Sequence, residues 1–279
     1  MVWFVSNNTS LVSQQSLQHF NIINQCAKHK IIEADIFEGL KFIEDASIDL
    51  IFADAPYNTG VKVYEGWVDK WASEEAHAAW CYEWLEIAIT KLKPNGSMYI
   101  ACGSATTPYV DIFLRNRVKI LSRIVWHYPS SGASATRKYT QLYEPLIFCV
   151  MNPADYTFNS ADIAIPSKTG LSGKIDRRKK IPAQYATTKN PSNVWLLNRV
   201  TPTSKEQQKH PTQKPEALLE RIIKASSNPG DTVLDLFAGS FTCGTVCKRL
   251  RRKSISIERE PKYCKLGIKR MKIRLAKKE

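Results

Sequence analysis

Short apolar runs alternate with stretches of helical period through most of this 279-residue chain, and that alternation constrains the fold class. Residues 31–34, 48–53, 97–102, 120–128, 144–151, 232–237 and 253–257 read as strands, most of them closed by a turn signal or a charged residue. Helical spacing fills 36–44, 73–92, 106–118, 242–250 and 261–275. Pro215 opens a further helix whose buried stripe is Leu218, Leu219, Ile222, Ile223 and Ala225. Strands that alternate with helices predict an α/β fold: a doubly wound, mostly parallel sheet covered on both faces. Ser73 is placed to cap the 73–92 helix, and Trp67, Trp71, Trp80 and Trp84 are expected in the core with it.

Ligands of open α/β sheets sit at the carboxyl ends of the strands. Two such ends are chemically loaded. The run 48–53 ends in Asp54-Ala55-Pro56-Tyr57-Asn58, which sets a carboxylate and an aromatic ring beside a proline of fixed φ. The run 232–237 leads into Asp235-Leu236-Phe237-Ala238-Gly239-Ser240-Phe241-Thr242, a strand, glycine bend and helix start. Glycine lets backbone pass close to a ligand, and a helix N-terminus offers free N–H groups. About twenty residues on, Glu258 ends the next strand, where an acid accepts hydrogen bonds from ribose hydroxyls. The local reading is an adenosine-containing cofactor. The bend is neither Gly-x-Gly-x-x-Gly nor a P-loop.

The formal charge of +14 and pI near 9.4 favour a polyanionic partner. Basic residues concentrate in 174–180 and 248–278. Residues 152–209 lose periodicity and are rich in Pro, Ser, Thr, Asn and Lys, so they read as a functional insert. Seven cysteines without Cys-x-x-Cys spacing suggest neither a metal site nor a disulfide framework, and fit a reducing, cytoplasmic compartment. The first fifteen residues do not read as a signal peptide, and no apolar run reaches transmembrane length.

Three motifs in order make the chain similar to a known family. Asp54-Ala55-Pro56-Tyr57 resembles the Asp-Pro-Pro-Tyr motif of S-adenosylmethionine-dependent DNA amino-methyltransferases. Phe237-Ala238-Gly239-Ser240 resembles their Phe-x-Gly-x-Gly motif, and His210-Pro211-Thr212-Gln213-Lys214-Pro215 the segment that precedes it. The order, catalytic motif before cofactor motif, is that of the family's beta group. The resemblance implies a Rossmann-like methyltransferase fold of permuted motif order, with residues 31–151 and 210–279 as its two halves and 152–209 as a target-recognition region.

It also implies roles. Asp54 and the Ala55 carbonyl would accept the two N–H bonds of a base amino group, within a catalytic set completed by Pro56 and Tyr57, with Tyr57 stacked on a base swung out of the helix. Asp35, Lys214, Asp235, Phe237, Ala238, Gly239, Ser240, Phe241, Thr242 and Glu258 would face S-adenosyl-L-methionine. Arg177, Arg178, Lys179 and Lys180 would meet double-stranded DNA. Several positions leave two readings. Asp35 touches the adenine of the cofactor or only caps the following helix. Lys214 faces the cofactor carboxylate or is a surface residue. His210 is a structural turn residue before it is a base. Ala55 replaces the family's first proline and Phe241 its second glycine; Phe241 either crowds the methionine end of the cofactor or turns away and packs. The expected activity is N6-methylation of adenine, with N4-cytosine as runner-up and a catalytically impaired DNA-binding relic as the rival class. A companion restriction endonuclease and a homodimer are implied partners.

Overall fold

The computed structural model describes residues 21–26, 28–64, 67–129, 135–167, 174–178, 180–181, 183–184 and 186–273. Nine strands form one sheet: β1 (Asn21–Cys26), β2 (His29–Glu33), β3 (Ile48–Asp54), β4 (Leu92–Ala101), β5 (Lys119–His127), β6 (Tyr143–Val150), β7 (Val194–Leu196), β8 (Thr232–Asp235) and β9 (Lys253–Glu258). Their order is β1-β2-β9-β8-β3-β4-β6-β5-β7. From β2 to β4 every pairing is parallel; β6 runs against β4 and β5, and β1 against β2. The mostly parallel sheet expected from the alternation is therefore present, with two antiparallel strands in it.

Period-two alternation explains why both faces are buried. Ile51 and Ala53 point to one side of β3 and pack with Cys81, Trp84 and Leu85 of α2 (Glu74–Lys91). Leu50 and Phe52 point to the other and pack with Leu218, Leu219, Ile222 and Ile223 of α4 (Glu216–Ser226). The remaining helices are α1 (Ile36–Leu40), α3 (Thr107–Arg115), α5 (Thr242–Arg249) and α6 (Pro261–Arg270). Ser73 caps α2 as expected, accepting from the Ala76 N–H at 3.2 Å.

Several boundaries differ from the expectation. α1 stops at Leu40 in a turn, and α6 stops at Arg270. Trp67 and Trp71 lie before α2, not on it; Trp67–Val68 pairs with Lys62–Tyr64 in a short hairpin. Within the 152–209 insert, β7 joins the edge of the main sheet against β5, and the Asn159 side chain donates to the Lys224 and Ser227 carbonyls at the end of α4. Farther out, Ile165–Pro166 pairs with Thr188–Lys189, and Ile175–Asp176 with Ala183–Gln184. The two pairings are nested, the second lying within the stretch of chain that the first encloses.

The direction of winding reverses between β3 and β8. From β3 the chain proceeds through α2 to β4 on one side; from β8 it proceeds through α5 to β9 on the other. Such a switch point opens a crevice at the carboxyl ends of the two strands.

Candidate active site

A cleft of about 390 Å³ lies at that crevice. Of the acceptor and cofactor residues singled out in the sequence, all line it except Phe241. Strand register explains the convergence: Asp54 ends β3 beside Ala101 of β4, Asp235 ends β8 beside Phe52, and Glu258 ends β9 beside Glu33. Because β6 is antiparallel, its first residues reach the same edge, and Glu144 enters the cleft.

The acceptor corner is a closed polar network. The Tyr57 hydroxyl lies 3.1 Å from Asp54 Oδ1 and 2.9 Å from Glu144 Oε2, and its single proton serves one of them at a time. Lys214 Nζ lies 2.8 Å from Asp54 Oδ1 and 3.2 Å from Glu144 Oε2. It also sits 4.9 Å from the centre of the Tyr57 ring. Burial raises the Asp54 carboxyl, with Lys214 opposing and Glu144 reinforcing the shift. Burial works against the Lys214 ammonium, but the two carboxylates outweigh it and hold the group above its ordinary value. Burial also pushes the Tyr57 phenol well up. Lys214 is buried, so it is no surface residue, and its ammonium meets Asp54 and Glu144 within the cleft.

The loop after the motif is held by Asp69. Its carboxylate accepts from the backbone N–H groups of Tyr57 (3.2 Å), Asn58 (2.9 Å) and Thr59 (3.1 Å), and from the Thr59 hydroxyl (2.8 Å). Asn58 takes a left-handed conformation (φ 58°), which Asn tolerates. Its side chain accepts from Trp71 N–H and donates to Glu74. The segment that lost a proline at Ala55 is thus fixed from outside. Trp71 and Trp80, expected in the core, line the cleft with their rings 5.1 Å apart; Trp84 is fully buried, as expected.

The cofactor half is built differently. Gly239 has φ +48°, and a Cβ there would lie 2.8 Å from the His210 ring, so only glycine fits. His210 packs against Tyr263 at 4.6 Å, and burial lowers its imidazole to about 4. Glu258 accepts from Gly239 N–H (2.7 Å) and Glu260 N–H (2.8 Å), which locks the bend to the end of β9. Burial lifts Glu258 to about 7 and Asp235 to about 8. Asp35 does cap α1, accepting from Phe37 N–H at 3.1 Å, and it lines the cleft as well. Phe241 also has positive φ (59°), but its side chain turns away, fully buried under α6 against Gly267. It does not crowd the cleft, which corrects its placement among the cofactor-facing side chains.

Arg177, Arg178 and Lys180 are exposed between the paired segments Ile175–Asp176 and Ala183–Gln184; Lys179 lies outside the described residues. Among the described residues no cluster of His, Cys, Asp or Glu is placed to hold a metal ion, and no helix is long and apolar enough to cross a membrane. Glu144 and Asp69 carried no functional signal in the sequence. The antiparallel direction of β6 was the missing fact for Glu144.

The residues fit an adenosine cofactor. Each Glu258 oxygen has one backbone partner and retains a lone pair for a ribose hydroxyl, and Ile36, Phe237 and Ile257 supply apolar wall.

Comparison with known proteins agrees with this architecture. Residues 48–269 match the model of a DNA methylase family. The DNA adenine methyltransferase YhdJ of Escherichia coli (strain K12) is 46% identical over 244 residues, covering 87% of this chain and 82% of that protein. The type II methyltransferase M.HpaI of Haemophilus parainfluenzae is 37% identical, covering 87% and 74%. The solved M1.HpyAVI-SAM complex superposes with a TM-score of 0.62 at 28% identity, over 88% of this chain and all of that one. With a switch-point cleft, an acceptor corner and a glycine bend in the right order, the chain belongs to the N6/N4 DNA methylase family.

Proposed function

We propose that this chain transfers a methyl group from S-adenosyl-L-methionine to the exocyclic N6 of adenine at specific sites in double-stranded DNA. The observation that carries the reading is Asp54, partly buried at the end of β3 and facing a cleft whose other wall is the glycine bend. An exocyclic amino nitrogen is a poor nucleophile because its lone pair is delocalised into the ring. Asp54 and the Ala55 carbonyl accept its two N–H bonds and draw the nitrogen toward sp³, which frees the lone pair. Asp54 then takes the proton that the amino group sheds. Pro56 fixes the turn and Tyr57 borders the base. Asp35, Glu258 and the 235–242 bend hold the cofactor, which supplies an electrophilic methyl group on a sulfonium. Adenine is favoured over cytosine by the aspartate at the head of the motif and by the adenine specificity in the name of YhdJ.

The recognition region is the 152–209 insert, in which Arg177, Arg178 and Lys180 are exposed. Cations there supply phosphate affinity that falls with salt. The reading includes a companion restriction endonuclease, supported by the type II designation of M.HpaI, and a homodimer, which sedimentation of the purified chain tests. A cytoplasmic setting agrees with six buried, unpaired cysteines among the described residues.

The test is incorporation of labelled methyl from S-adenosyl-L-methionine into duplex DNA, followed by mass spectrometry of the nucleosides. N6-methyladenine is expected. N4-methylcytosine overturns the base assignment, and no incorporation overturns the enzyme. Asp54→Ala should cut transfer by roughly a thousandfold or more while duplex binding persists.

A further inference from the structure

Asp54 has two oxygens, and its side-chain hydrogen bonds among the described residues all end on one of them. Tyr57 and Lys214 both meet Oδ1. Oδ2 is the oxygen left for a substrate amino group. Lys214 itself is 7% exposed and shared between Asp54 and Glu144. Two carboxylates so close to one hydroxyl and one ammonium form a unit of net charge −1 when all three charges are present. Like charges that share a site do not both stay ionised without a cation between them. The charge on Asp54 therefore depends on its neighbours as much as on pH.

We propose that Lys214 and Glu144 are positioning residues of the methyl acceptor site: Lys214 pins Asp54 by Oδ1 and keeps it ionised, and Glu144 opposes it and sets how basic Asp54 is. The inference rests on the reading of Asp54 as the amino-group acceptor. Its physical content is a pair of opposite effects. Removing the cation leaves two partly buried carboxylates together, so Asp54 holds its proton to higher pH. Removing the charge of Glu144 leaves Asp54 alone with the cation, so it gives up its proton at lower pH. Other groups that interact with this corner are Tyr57 from the same loop, Asp235 from the end of β8, Cys102 after β4, Tyr128 after β5 and His210 before Lys214. All five are unchanged in both variants. The Lys214 ammonium also lies 4.9 Å from the centre of the Tyr57 ring, so the cation holds the ring as well as the carboxylate.

The test compares wild type, Lys214→Met, Lys214→Arg and Glu144→Gln in two measurements. The first is a carboxyl-carbon NMR titration of Asp54 in the protein without DNA, assigned by its loss in Asp54→Asn. The second is the pH profile of single-turnover methyl transfer to a duplex oligonucleotide. Lys214→Met should raise the Asp54 midpoint by about one pH unit or more. It should carry the acid limb of the rate up with it, so that the rate at a fixed pH on that limb falls roughly tenfold. Glu144→Gln should move both midpoints the other way. Lys214→Arg, which keeps the cation, should return the midpoint toward wild type. Midpoints that stay still or move in the same direction overturn the proposal. So does a Lys214→Met protein that titrates normally but loses S-adenosyl-L-methionine affinity, since Lys214 is then a cofactor ligand. If Lys214→Met does not fold, Glu144→Gln and Lys214→Arg decide the outcome alone. A wild-type protein that methylates no DNA defeats the proposed function, while the titration still decides this one.

Discussion

The acceptor corner and the cofactor bend depart from the family pattern by one residue each, and the two departures are absorbed by different physics. At Ala55 a rigid proline is missing. The compensation is polar: Asp69 gathers three successive backbone N–H groups, and Asn58 ties the loop to Trp71 and Glu74. At Phe241 a glycine is missing from a left-handed position. The compensation there is apolar: the ring is fully buried with Ile31, Tyr263, Cys264 and Met271, and Gly267 of α6 leaves room for it. A bulky residue at positive φ costs about 1–3 kcal/mol, and full burial of a Phe side chain returns about 1.5–3 kcal/mol. The two nearly cancel, so the bend keeps its shape without the glycine. A turn that must present polar atoms to a substrate is held by hydrogen bonds; one that only shapes a floor is held by packing.

The largest effect that tests this contrast is at Phe241. Phe241→Ala should cost about 3–5 kcal/mol in urea unfolding, because it empties a site closed on all sides. Phe241→Gly should cost less than the trend in volume predicts, since it relieves the backbone. A loss under about 1 kcal/mol would show that packing does not hold the bend. Gly267→Ala probes the same contact from the other side: its Cβ would fall 2.5 Å from the Phe241 ring, and the double variant with Phe241→Ala should be less damaged than the two single losses added.

Asp69 is the matching test of the polar corner, with a smaller effect on stability. Asp69→Ala should lower stability by about 1–3 kcal/mol, the penalty for stranding partly buried N–H groups. Its effect on rate should be larger, up to roughly a hundredfold, because the loop carries Tyr57 and follows Asp54. Cofactor binding, measured by calorimetry, should change little. If the rate is preserved, Asp69 does not preorganise the acceptor.

How much of this was legible in the sequence follows from range. The strand ends at Asp54 and Glu258, the glycine bend and the cap at Ser73 are local patterns, and each is where its pattern put it; the strand read over 232–237 stops two residues early, at Asp235. What was not legible depends on pairing across long stretches of chain. Glu144 enters the cleft only because β6 is antiparallel, and no local periodicity encodes strand direction. Lys214 lies 160 residues from Asp54 by their sequence positions, and only the fold brings the two to 2.8 Å. Asp69 looked like one acid in an aromatic stretch until the loop at Asn58 turned back on it.

The smallest effect separates the halves by pH. Glu258 and Asp235 of the cofactor half are lifted by burial to about 7 and about 8 from ordinary values of 4.5 and 3.8. The folded state therefore holds protons that the unfolded chain has already lost, and stability falls as pH rises toward and through those folded values. His210 works in the opposite sense. Lowered from 6.5 to about 4, it favours the fold above 6.5 and loses that contribution only as pH falls. Between pH 6.5 and about 8 the histidine is spent, and Glu258 and Asp235 titrate in the fold. The cofactor-free protein should lose several degrees in melting temperature across that window. Glu258→Gln should flatten the part of the fall near pH 7, because its amide binds no proton in either state. Bound S-adenosyl-L-methionine should reduce the fall as well, if Glu258 meets a ribose as a carboxylate. A melting temperature that stays flat over the same interval would mean that these acids are already ionised in the fold, and that the bend is held by charge in the same way as the acceptor corner.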